Sequence, residues 1–317
     1  MHRTHIDIKP EMIDWAIQRA QLDAVTQQSA TIRRAFQWVN RQKKPTLSQL
    51  NEFAKKVMVP FGYLFLDSPP NEQLPIADFR TFDDKKPRAP SPNLRDTISE
   101  MQARQDWMRE NALADEVGPV EFVGSISKFE TIETAAIQIQ NNLGLQADWQ
   151  QDCKKTEDYF LKLRQAADQQ GILVFINGTV GGNTRRPLGH REFRGFVLLD
   201  QYAPLVFINA NDAKAAQLFT LAHELVHLAF GVSGLFNLRN FVVGQDELEI
   251  RCNKIAAEFL VPSSRFKIAW KEHSSGEPIV ELARRFGVSR LVIARRALDH
   301  NFMSRDDFFA FYHKNEG

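Results

Sequence analysis

The chain has 317 residues, 43% of them hydrophobic and 25% charged, with a formal net charge of +1. That length predicts two or three units rather than one core, and the ordinary composition excludes an extensively disordered chain. Near-neutral charge excludes wholesale attraction to nucleic acid or an acidic membrane, two cysteines exclude a secreted disulfide scaffold, and no run approaches the roughly 20 apolar residues of a membrane helix. The start, MHRTHIDIKPEM, is polar and holds no apolar signal core, so the expectation is a cytoplasmic protein that does not engage a membrane.

Charge is uneven along the chain. Residues 1–60 hold ten Lys and Arg against five Asp and Glu. Met12, Ile13, Ala16 and Ile17 follow helical spacing, and LSQLNEFAKKV reads as a second helix capped by Thr46. The stretch PFGYLFLDSPP closes that unit with an apolar knot and a Pro-Pro stop. Pro69, Pro70, Pro75, Pro87, Pro90 and Pro92 then oppose helix and sheet, which predicts a linker. Helix resumes over 94–116, with Ile98, Met101 and Met108 turned inward.

From about 156 the pattern changes. TEDYFLKLRQAADQQG reads as a helix with Thr156 as cap and Gly171 as stop. ILVFIN is a short apolar strand, VGGNTRRPLGHRE a loop, and RGFVLLD and PLVFINA two strands joined by a turn at 201–203. NDAKAAQLFTLAHELVHLAF follows as a long helix starting at Asn211 or Asp212. Helix, three strands, then helix is an α+β order.

That last helix carries the chemistry. His223 and His227 are four residues apart, so both face one side of a helix and can offer nitrogens to one metal ion. Leu221, Leu225 and Leu228 form a second stripe that would bury the helix, and Gly231 would end it. Glu224 stands beside the first histidine, where a carboxylate can take a proton from attacking water. This is H-E-x-x-H, a zinc metalloprotease pattern. The bland alternative is a core helix whose histidines each meet a carbonyl. Two imidazoles and a carboxylate on one apolar helix would make a poor core, because each unpaired buried polar group costs roughly 1–3 kcal/mol.

Catalytic zinc takes three protein ligands and leaves a position for water. A third ligand is expected in DELEIRCNKIAAEFLVP, a helix stopped by Pro262. Asp246, Glu247, Glu249 and Glu258 are the acidic candidates. Glu249 has Asn253 one turn on, able to brace a histidine's second nitrogen; Glu258, nine residues on, lies on another face of the helix and would not share the site. Otherwise Glu249 is a solvated first-turn acid attracted by the helix dipole.

FTLAHELVHLAFG, followed by E-x-x-x-N-x-x-A-A-x-x-L-x-P from Glu249 to Pro262, resembles the ImmA/IrrE family of metallopeptidases. The resemblance covers roughly residues 156–262. It implies a zincin-like domain, a small sheet plus the H-E-x-x-H helix, with one zinc held by His223, His227 and Glu249 and with Glu224 as base. Many members have Glu-Ala where this chain has Arg251-Cys252, so the register rests on Glu249 lying four residues before Asn253. The implied reaction is metal-assisted hydrolysis of a peptide bond. An oxyanion donor is also needed; His190, Arg186, Tyr202 and His300 are candidates among which spacing does not choose. PLVFINA would serve as the edge on which an extended substrate pairs.

The N-terminal segment resembles the helix-turn-helix module of XRE-type regulators, which accompanies this peptidase in longer relatives. Arg33, Arg34, Arg41, Lys43 and Lys44 suit contacts to nucleic-acid phosphates; the alternative is a solvated face on a protein-docking module. IVELARRFGVSRLVIARRALDHNF also has a helix-turn-helix cadence, read as a piece packed on the peptidase rather than a DNA reader. The expected division is a helix-turn-helix-like domain over 1–68, a linker over 69–93, the peptidase domain over 94–270 and a C-terminal helical subdomain over 271–317. By the resemblance, the protein substrate is a helix-turn-helix repressor or antitoxin, cut in a stress or mobile-element response. A DNA-binding regulator with a structural or sensory metal site is the alternative, and the intact Glu224 favours the enzyme.

Overall fold

The computed structural model describes residues 5–22, 24–70, 90–232, 234–236, 247–273 and 277–314. They fall into two compact units: 5–70 with 90–99, and 100–314. Among the described residues no helix is long and apolar enough to cross a membrane.

The first unit is all helical. It contains α1 (Pro10–Ala20), α2 (Ala24–Gln27), α3 (Ala30–Val39), α4 (Leu47–Lys56), a 3-10 turn over Phe61–Phe65, and the start of α5 (Pro92–Ala114). Thr46 caps α4 in a capping box with Gln49, as the sequence predicts. Ile13, Ala16, Ile32, Ala35, Leu50 and Phe53 are fully buried, and Trp38 meets Phe53 edge-on at 5.7 Å. Arg19 is buried yet satisfied, donating to the Met58 carbonyl at 3.1 Å and pairing with Asp96 at 3.2 Å. The linker expected over 69–93 lies mostly outside the described residues, and α5 already begins at Pro92.

The second unit is α+β. After α5 come α6 (Ile132–Asn142), α7 (Thr156–Gln169), β1 (Leu173–Asn177), β2 (Thr179–Val180), β3 (Asn183–Pro187), β4 (Gly195–Leu198), β5 (Leu205–Asn209), α8 (Lys214–Phe230) and β6 (Gly234–Phe236). There follow α9 (Glu247–Leu260), α10 (Ser263–Glu272), α11 (Pro278–Phe286), α12 (Arg290–Asp299) and α13 (Arg305–Lys314). The sheet order is β1-β5-β4-β6, with β1 parallel to β5 and the other pairs antiparallel. The strand period of two divides the sheet's side chains. Val197, Val206 and Ile208 share one apolar cluster with Leu221, Leu225 and Leu228 of α8, while Phe196 and Phe207 stack on each other at 5.0 Å outside it.

Several expectations need correction. The 180–192 stretch read as loop contains β3 and the end of β2, which pair as an antiparallel ribbon. α6 and β6 were not foreseen; α6 is capped by Thr131, whose hydroxyl accepts from the Thr134 N–H at 3.1 Å. Thr156 does not cap α7: it is the first helical residue, and the Asp158 carboxylate accepts from the Lys154 and Lys155 N–H groups, both at 2.9 Å. α8 starts after Ala213 rather than at Asn211 or Asp212. Asn211 instead donates to the carbonyls of Gly178 and Leu188, and Asp212 pairs with Arg194 at 2.8 Å. PLVFINA is no edge, because β5 has β1 on one side and β4 on the other, so its hydrogen-bonding groups are taken.

Candidate metal centre

α8 is a buried helix; every residue from Gln217 to Phe230 is buried. Gly231 ends it in the left-handed conformation at φ 68°, and Val232 donates back to the His227 carbonyl at 3.0 Å. With Leu221, Leu225 and Leu228 fully buried on one side, His223 and His227 are held on the other. α9 packs against both α8 and α6 and brings the acid of its first turn to that face.

Three donors meet there. His223 Nε2 and His227 Nε2 are 2.9 Å apart, and Glu249 offers Oε2 at 3.3 Å from the first and Oε1 at 3.0 Å from the second. Among the described residues this is the one group of three such side chains whose ligand atoms all lie within 4.8 Å of one another. At that distance one imidazole nitrogen can donate to the other, yet both also face an oxygen of the Glu249 carboxylate. A cation between them and the carboxylate would satisfy all three, and the N,N,O donor set suits a borderline metal such as zinc.

Electrostatics in the pocket are strong. Burial pushes the His223 imidazolium below its ordinary range, against the pull of Glu249 and Asn253. Burial alone would lower His227 as well, but the Cys252 thiol and Glu249 outweigh it and hold His227 well above its usual value. Glu249 is raised by burial, yet its hydrogen bonds to His223 and His227 and their charges bring it far below the usual carboxylate range. Asn253 is buried next to this group, and its side chain favours the charged form of His223.

Glu224 is fully buried beside this group. Its surroundings include a residue that sequence reasoning passed over. A Cβ on Gly195 of β4 would fall 2.5 Å from Thr220 Cγ2, 2.8 Å from the Phe207 carbonyl oxygen and 3.4 Å from Glu224 Oε1. Gly195 therefore lets β4 approach the helix face that holds Glu224. The only sequence signal was a glycine inside an otherwise apolar strand.

Other candidates lie elsewhere. Asp246 is outside the described residues, and Glu247 is exposed. Glu258 is buried against Arg296 and Ser263, on a different face of α9. His190 is exposed before β4, Arg186 is in β3, Tyr202 is in the β4–β5 turn, and His300 lies against the Phe266 ring at 5.6 Å after α12. The basic residues sit in the first unit. Arg33 is exposed on α3, Arg34 pairs with Glu52 at 3.0 Å, Lys44 pairs with Asp7 at 3.3 Å, and Arg41 and Lys43 are exposed in the turn after α3.

Residues 167–298 match the family model Peptidase_M78, described as the IrrE N-terminal-like domain. The matched stretch runs from the end of α7 through the sheet, both donor-bearing helices, α11 and most of α12. No curated protein matches the chain. Residues 167–298 are thus similar to the IrrE N-terminal-like domain of the Peptidase_M78 family, which supports a metallopeptidase of that kind.

Proposed function

We propose that the protein is a zinc-dependent endopeptidase of the gluzincin type, with His223, His227 and Glu249 as ligands and Glu224 as general base. The observation that carries this reading is the meeting of both histidine Nε2 atoms of α8 with the Glu249 carboxylate of α9 within 4.8 Å, beside a second carboxylate, Glu224, buried on α8. Zinc bound there supplies Lewis acidity toward the scissile carbonyl and toward water. Glu224 takes the proton of the attacking water and delivers it to the leaving amine. Asn253 holds the His223 ring in orientation. Burial of the helix excludes bulk water, which strengthens each of these interactions. A purely structural or sensory metal site would have no use for a second buried carboxylate.

The substrate in this reading is a cytoplasmic regulatory protein, a helix-turn-helix repressor or antitoxin, whose cleavage switches a stress or mobile-element response. The family resemblance supports that class. Metal analysis of the purified chain is expected to find about one zinc per chain, lost in His223→Ala. The Glu224→Gln variant is expected to keep the metal and trap the substrate that the wild type cuts. A metal-free wild type would sink the ligand assignment. Undiminished cleavage by Glu224→Gln would sink the base.

A further inference from the structure

We infer that the first unit has a second binding site, a cationic cleft that takes a small phosphorylated ligand. The cleft has a volume of about 590 Å³ and lies between the extended segment before α1 and the turn between α3 and α4. That volume is in the range of small-molecule sites, roughly 300–1,000 Å³. Lys9, Arg41, Lys43 and Lys44 line it, with Asp7 as the only acid among the described lining residues, and Trp38 contributes an aromatic wall.

The charges are only partly compensated. Lys44 reaches Asp7 at 3.3 Å and Lys9 reaches Asp67 at 2.8 Å, both through well-exposed side chains. Such surface pairs are weak and exchange readily for a better anion. Arg41 and Lys43 have no ion-pair partner among the described residues. Four cations around one cleft favour an anion with several oxygens, for which arginine offers a bidentate fork and lysine a point charge.

A small ligand fits better than a duplex. A helix-turn-helix reader presents its basic residues along the helix that enters the groove. On α3, Arg34 is held by Glu52 and Thr31. Arg41 and Lys43 line a recess instead, with Trp38 beside them.

The test is calorimetric titration of the full-length chain with pyrophosphate, ADP, adenosine and a short DNA duplex. Pyrophosphate and ADP are expected to bind with an affinity that falls as salt rises, and adenosine is not. The double variant Arg41→Glu, Lys43→Glu is expected to weaken both by at least about tenfold, because hydrogen bonds to charged groups are lost. Its thermal unfolding should match the wild type, since both side chains are exposed; the neutral double variant with Gln at both positions gives a milder version of the same loss. Absence of pyrophosphate and ADP binding overturns the inference, as does binding unchanged in both variants. Duplex binding through Arg41 and Lys43 that pyrophosphate does not compete for overturns it as well.

Discussion

At the scale of single residues, the proposed metal centre concentrates groups that are costly to bury. His223, Glu224 and His227 are almost wholly out of water, and Glu249 is mostly so. With His227 held well above its ordinary value, a cation entering at neutral pH has to displace a proton. The apparent zinc affinity should therefore rise with pH, by on the order of tenfold per unit, and level off once pH passes the raised His227 value. Competition with a chelator across a pH series measures this; a flat profile would contradict the assigned ligands. Gly195 makes a separate prediction. In Gly195→Ala the new methyl meets the Phe207 backbone oxygen and the buried Thr220 side chain, neither of which can swing away. The expected loss is about 1–3 kcal/mol of stability with zinc retained, read from thermal unfolding and metal content together.

Among the elements, helix periodicity was the clearest signal. α8 and α9 could be read from the chain because each keeps one apolar face and ends at a recognisable breaker, Gly231 or Pro262. The sheet was harder. β1, β4 and β5 were legible as apolar runs, but β6 has only three residues and α6 is a weakly patterned helix. Strand order was not legible at all, since partners are chosen by the covering helices and not by the strand's own residues. This is why β5 read as an edge although it is central. The α11–α12 turn shows local and tertiary demands coinciding. Gly287 has φ 68°, and a Cβ there would lie 2.6 Å from the Tyr159 ring, whose hydroxyl donates to the Arg285 carbonyl at 2.8 Å. Gly287→Ala should cost about 1–3 kcal/mol, seen as a lower denaturant midpoint with an unchanged slope.

For the whole molecule, the C-terminal helices are part of the unit that holds the centre. Leu282, Phe286, Val292, Ile293 and Ala297 belong to the same apolar cluster as Leu221 and Leu225. A buried network joins them to the donor-bearing helix: Arg296 pairs with Glu258 of α9 and donates to Ser263 Oγ at 2.9 Å. Arg296→Met would strand the Glu258 carboxylate in the core, an expected loss of about 3–5 kcal/mol. The double variant with Glu258→Leu should recover much of it, because two apolar groups leave no unpaired charge. Equal losses in the single and double variants would mean that the pair is not what ties these helices to α9.

The sequence by itself determined the short-range features. These are the pairing of His223 with His227 on one helix face, the leucine stripe that buries that helix, and the glycine that stops it, all set by residues within a turn or two. It also narrowed the third donor to a few acids, since Glu249 and Asn253 share a face. Only the tertiary structure decided that α6, α8 and α9 pack so as to bring the Glu249 carboxylate to the histidines, that Glu258 turns instead to Arg296, and that Gly195 sits beside Glu224. Those outcomes depend on contacts between residues far apart in the chain, where burial and shape choose among partners that local spacing leaves equivalent.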